Sequence, residues 1–183
     1  MHPLIEKLIK TGPVVTDGSW GTQLQNRGLK RGECPDSWNL SHPERVEEVA
    51  GQYVEAGSQI ILTNTFGGNR LSLGRFNMGA EAVAINTAGV EISKKAAGNR
   101  AAVFASIGPT GKMLLTKETT EEELQNAFEE QADAQARAGA DGIIVETMID
   151  ITEARIAARA AKRTGLPVIA SMVFDSGVDK DTT

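Results

Sequence analysis

Apolar positions along the chain follow two alternating patterns. Short runs that are apolar almost throughout recur at Pro13-Val14-Val15-Thr16, Gln59 to Thr63, Ala101 to Ile107, Gly142 to Val145 and Pro167 to Phe174. Such runs, without strict alternation, predict strands covered on both faces in a parallel sheet. Between them the spacing changes to that of a helix. Val46, Val49, Ala50, Tyr53 and Val54 stand at i, i+3, i+4, i+7 and i+8, one face of a helix. Further stripes run through Ala82, Ile85, Gly89, Ile92 and Ala96, then Leu124, Ala127, Phe128, Ala134 and Ala138, then Ala154, Ala157, Ala158 and Ala161. Ser41 with Glu44, and Thr120 with Glu123, carry the spacing of a capping box, and Asp150 with Glu153 opens the last stripe. Gly57, Gly98, Gly139 and Gly165 stand where these helices should stop.

Strand-then-helix units define an α/β protein and leave two architectures open. A doubly wound sheet would bind nucleotides at its switch point, whereas a (β/α)8 barrel would carry its site at the C-terminal strand ends. No Gly-x-Gly-x-x-Gly follows the first run, and no P-loop occurs. Polar or glycine-rich residues end each of the first four runs: Asp17-Gly18, Asn64 to Gly68, Gly108-Pro109-Thr110-Gly111 and Glu146-Thr147. That favours the TIM-barrel type. A full barrel needs eight strands and roughly 250 residues. The expectation is therefore an incomplete barrel of about five β/α units, with residues 1–183 as the N-terminal part of a single domain and Asp175 to Thr183 as a polar tail.

Composition narrows the setting. Aromatic residues make up only 4% of the chain, so the core must come from Ala, Val, Ile and Leu. A formal charge of −5, from 19 basic and 24 acidic residues without long blocks, leaves no basic footprint for nucleic acid or an anionic membrane. No apolar run approaches the roughly 18 residues of a membrane span, and Met1 to Lys10 lacks the apolar stretch of a signal peptide. The single cysteine, Cys34, excludes an internal disulfide framework, so a reducing cytoplasm is expected.

The strand-end residues carry the candidate chemistry. Asp17 could be only half of an Asp-Gly turn, but Glu146 ends an apolar strand, where an unpartnered carboxylate is costly to bury. Thr65 and Asn64 could hold their loop by local hydrogen bonds. Gly108 to Gly111 could shape the rim or touch a ligand, while Trp20 and Trp38 are expected in packing. His2 and His42 read as exposed or helix-capping residues, and Glu121-Glu122-Glu123 as the acidic first turn of a helix.

Taken in order, these motifs resemble the homocysteine S-methyltransferase family. Thr16 to Leu24 is similar to its opening Asp-Gly-x-x-Gly-Thr run. Arg31 to Asp36 with Trp38-Asn39-Leu40, and Thr63 to Leu71 after Glu55-Ala56-Gly57-Ser58, resemble the cobalamin-dependent methionine synthase branch. Ser106 to Gly111 and Glu146-Thr147-Met148 complete a likeness running from about Gly12 to Phe174.

The resemblance implies methyl transfer to the sulfur of homocysteine, giving methionine. Asp17 and Glu146 would hold the substrate's ammonium group, and Gly18 and Thr65 would contact its carboxylate. Glycine-lined turns such as Gly18 and Gly67-Gly68 let backbone N–H groups approach closely. The family holds the thiol as a thiolate on zinc, because a free thiol with a pKa near 8.5 is mostly protonated at neutral pH. Its zinc ligands are three cysteines on later strands that this sequence lacks. Cys34, His2 and His42 have no recognised metal spacing, so neither a metal ligand nor a catalytic residue is assigned to this chain. The methyl donor is not written here: methylcobalamin or methyltetrahydrofolate would come through separate cobalamin or folate domains, and S-methylmethionine or betaine stay open as donors. The alternative expectation is a catalytically inactive chain that binds homocysteine or assembles with a completing polypeptide.

Overall fold

A computed structural model describes residues 1–10 and 12–174, so the tail expected from Asp175 to Thr183 lies outside the described residues. In chain order the elements are α1 (Pro3–Ile9), α2 (Trp20–Asn26), α3 (Trp38–Ser41), α4 (Pro43–Glu55), β1 (Ile60–Leu62), α5 (Arg70–Gly74), a 3₁₀ turn (Gly79–Glu81), α6 (Ala82–Ala97), β2 (Ala102–Ile107), α7 (Glu121–Arg137), β3 (Gly142–Met148), α8 (Ile151–Arg163) and β4 (Val168–Met172). The strands pair in parallel in the order β1-β2-β3-β4. A doubly wound sheet reverses its strand order at the switch point. Sequential order is the arrangement of an opening barrel.

The first expected strand is reduced. Pro13 to Thr16 makes one parallel bridge, Thr16 to Ile60, although the Val15 carbonyl accepts from the N–H groups of Gln59 and Ile60. Among the described residues this segment has a partner on one side only, and Val15 is 57% exposed. It still occupies a first-strand place beside β1. At the other edge, Ile169, Ala170 and Ser171 of β4 are exposed.

Helices α4 and α7 pack where their stripes predict, whereas α6 buries Ala82, Ile85 and Gly89 of its expected stripe but turns Val90, Ser93 and Ala97 inward, leaving Ile92 and Ala96 half-buried. Val46, Val49, Ala50 and Val54 of α4 are buried, as are Leu124, Ala127, Phe128 and Ala134 of α7. The largest core cluster joins Ala105 and Ile107 of β2 and Ile143 and Val145 of β3 to Leu124, Phe128, Ala157 and Ala161 of α7 and α8. Alanine on the helices lets them approach the branched strand residues closely.

The Thr120–Glu123 capping box forms in both directions, and Asp150 caps α8 through the N–H groups of Thr152 and Glu153. The expected Ser41–Glu44 box does not form. A short helix, α3, runs through Ser41, whose hydroxyl donates to Ser37 O instead. His42 becomes the cap residue of α4, and Pro43 fills a first-turn position that needs no N–H donor.

Candidate functional site

Side chains alternate along each strand. On β2, Val103, Ala105 and Ile107 join the clusters against the helices, which leaves Phe104 and Ser106 on the opposite face. On β3, Ile143 and Val145 do the same, leaving Ile144 and Glu146. Of these, Ser106 and Glu146 line a cavity of about 400 Å³ at the strand ends, with Gly18, Trp20, Asp36, Leu62 and Arg75 among the other lining residues.

Glu146 lines this cavity from the end of β3, and Asp17 stands at its margin, bonded to two of the lining residues, Leu62 and Trp20. Asp17 Oδ2 accepts from Leu62 N at 2.7 Å and Trp20 Nε1 at 2.8 Å. Burial nevertheless pushes its carboxyl above the usual range, and the charge of Glu146 adds to the rise against those hydrogen bonds. Glu146 owes its position to a bulge. The register steps from Val145–Ala170 to Met148–Met172, so β3 spends one residue more than β4, and Thr147 takes a left-handed φ of 60°. Ser106 Oγ donates to Glu146 Oε1 at 2.6 Å. Neither carboxylate has an ion-pair partner among the described residues.

Gly18 lines the same cavity, and a Cβ there would meet the Tyr53 hydroxyl at 3.1 Å. Its N–H has no protein acceptor among the described residues, and neither has that of Phe66 across the cavity. Thr65 departs from the expectation of a direct ligand contact. It is fully buried and its hydroxyl is engaged by Thr63 Oγ1 at 2.6 Å, Ser106 O at 2.8 Å and Gln135 Nε2 at 3.2 Å. These partners turn its side chain toward α7, away from the cavity.

Three residues escaped the sequence reading as site residues. Asp36 is buried, accepts the Gly67 N–H at 2.9 Å and lines the cavity beside Arg75, whose Nη2 donates to Ser72 Oγ at 2.7 Å. Glu153 was legible only as a helix start. It is buried and takes both the Thr110 N–H at 2.7 Å and the Thr110 hydroxyl at 2.6 Å, tying the rim loop to α8. Within that loop, Gly108 donates to Phe66 O at 2.9 Å, and a Cβ there would stand 2.5 Å from the Phe66 ring. Only glycine admits that approach.

Burial raises the Asp36 carboxyl to about 6, despite the opposing Gly67 N–H and Arg75 charge. Its folded pKa lies above its unfolded one, so between pH 4 and 6 the folded chain holds more protons and loses stability as pH rises. Asp36→Asn should match the wild type near pH 4 and exceed it at pH 7 by up to about 3 kcal/mol. Urea unfolding at the two pH values checks this; an equal difference at both would refute it.

The described residues include no group of three or more His, Cys, Asp or Glu able to hold a metal ion. Cys34 is buried with its sulfur 3.9 Å from Asp36 Oδ2, and His2 and His42 sit at helix starts. Trp38 packs in the core under the Arg45 guanidinium, whereas Trp20 lines the cavity. The described residues do not fit a catalytic metal site.

Comparison with known proteins gives a consistent picture. Methionine synthase from Mycobacterium tuberculosis is 30% identical over 183 residues, covering 89% of this chain and 15% of that protein. The Mycobacterium leprae methionine synthase is 29% identical over 82% of this chain and 13% of its own length. Betaine–homocysteine S-methyltransferase 1 from Bos taurus is 29% identical over 92% of this chain and 42% of its length. The chain thus spans well under half the length of these relatives. The metallated form of the Escherichia coli homocysteine methyltransferase MmuM superposes with a TM-score of 0.80 at 21% identity, covering 98% of this chain and 70% of that one. That structural likeness establishes a shared fold. The profile of the family described as homocysteine S-methyltransferase matches residues 14–183, nearly the whole chain. The chain belongs to the homocysteine S-methyltransferase family.

Proposed function

We propose that the strand-end cavity binds the amino-acid end of L-homocysteine, as the substrate-holding part of a methyltransferase barrel. One observation carries this reading: Glu146 lines the cavity, Asp17 stands at its margin near enough to feel the Glu146 charge, and neither is in an ion pair among the described residues. An ammonium group supplies the missing charge and relieves the burial that raises the Asp17 carboxyl. The N–H groups of Gly18 and Phe66 serve the carboxylate, while Thr65 acts by shaping its loop. Zinc, which in the family makes the thiol available as a nucleophile, finds no ligand set among the described residues. The function proposed for these residues is therefore to bind and orient substrate.

A second reading rests on the β4 edge. Exposed Ile169, Ala170 and Ser171 leave a row of strand groups open to pairing. Further polypeptide, from the same chain or a partner, would close the barrel there, and cobalamin or folate domains would supply the methyl group. No described helix is long and apolar enough to cross a membrane. The lone free cysteine supports a reducing, cytoplasmic setting.

Calorimetric titration tests the binding role with three ligands. L-Homocysteine should bind, while 4-sulfanylbutanoic acid, which lacks the ammonium, and 3-sulfanylpropan-1-amine, which lacks the carboxylate, should each bind at least about tenfold more weakly. Equal affinity for all three would refute amino-acid recognition.

A further inference from the structure

The loop after β1 has its backbone carbonyls taken one after another by side-chain amides from the helix layer. Asn39 Nδ2 donates to Asn64 O at 2.8 Å, Gln131 Nε2 to Thr65 O at 2.9 Å, and Asn86 Nδ2 to Gly68 O at 2.7 Å. Gln135 Nε2 donates to Ser106 O at 3.0 Å, and Asn86 Oδ1 accepts from both Gln135 at 2.9 Å and Gln131 at 3.3 Å. All four amides are buried, and they come from three helices, α3, α6 and α7. The loop they grip carries the free Phe66 N–H. The Ser106 they grip donates to Glu146.

This is a poor arrangement for stability alone. The Oε1 atoms of Gln131 and Gln135 are buried with no hydrogen-bond partner, beside a core of Ala, Leu and Phe. An orphaned buried acceptor costs free energy that a methionine of similar length avoids. Side chains that oppose stability in a core mark a functional demand.

We propose that Gln131, Gln135 and Asn86 are positioning residues for the ligand-binding loop and for Glu146. They draw the carbonyls of Thr65 and Gly68 toward the helices, which leaves the Phe66 N–H free for an anionic group, and they fix Ser106 against Glu146. This inference rests on the homocysteine reading and adds that the affinity for the ligand's carboxylate is set from α7, behind the sheet.

Gln131→Met tests it, because it removes the hold on Thr65 O while keeping the volume. The expected result is an unchanged or higher Tm together with an affinity for L-homocysteine about tenfold weaker, equivalent to about 1.4 kcal/mol or one hydrogen bond. The affinity for 3-sulfanylpropan-1-amine, which has no carboxylate, should change much less. Gln135→Met gives a second variant should the first fail to fold: it releases Ser106 O, and with it Glu146, so both L-homocysteine and 3-sulfanylpropan-1-amine should bind more weakly at a preserved Tm. Unchanged homocysteine affinity at a preserved Tm would overturn the inference, as would equal weakening of both ligands with a lowered Tm. If the wild-type chain bound neither ligand, the homocysteine reading would fall and this inference with it.

Discussion

Replacing Glu146 by Gln should weaken L-homocysteine binding by about 10- to 100-fold while leaving the fold intact. Hydrogen bonds to charged groups contribute about 1.5–3 kcal/mol, and the ammonium loses one such partner. The amide can still accept from Ser106, which now donates to Glu146 Oε1 at 2.6 Å, so the bulge at Glu146–Thr147 keeps its anchor. Removing the Glu146 charge also removes one of the influences that raise the Asp17 carboxyl, which should then titrate lower. Calorimetry reads the first effect and carboxyl-carbon NMR the second. Unchanged affinity would exclude Glu146 from holding the ammonium.

The largest stability effect is expected from Phe128→Ala. Phe128 is fully buried and joins α7 to the strand residues Ile143 and Val145. Truncating a buried phenylalanine costs about 3–5 kcal/mol, through lost transfer energy and the cavity left behind. A domain of this size is stable by only about 5–15 kcal/mol in total. The variant should therefore unfold at much lower urea concentration, with a similar slope. A midpoint within error of the wild type would mean that α7 does not anchor the sheet.

The long helices and the inner strands were legible because their periods are long enough to read. Val46 to Val54 and Leu124 to Ala134 each repeat one face over two turns or more, and the structure buries those faces. The short helices were not. α2, α3 and α5 span seven, four and five residues, too few to show a period. Local capping holds two of them: Ser19 accepts from Thr22 N and Asn69 from Ser72 N.

The site divides along similar lines. Asp17 and Glu146 stood out because a carboxylate at the end of an apolar strand needs a reason; Glu146 lines the cavity, and Asp17 is bonded to Trp20 and Leu62, which line it. Thr65 lies in a loop, where strand alternation no longer fixes direction, and three buried partners turn it away. Asp36 meets the Gly67 N–H across 31 positions of sequence, a pairing that only tertiary structure creates. Gln131 and Gln135 did leave a trace. They fill the gap in the α7 stripe between Phe128 and Ala138, at positions where helical spacing points inward.

In the proposed complex Asp17 and Glu146 together hold the amino group of homocysteine. A crystal structure of the chain with L-homocysteine tests it most directly. The ammonium nitrogen should lie within about 3.2 Å of both carboxylates, with the ligand carboxylate on the Gly18 and Phe66 N–H groups and the sulfur directed away from both. Homocysteine bound with its ammonium away from these two side chains, or outside the strand-end cavity, would contradict it.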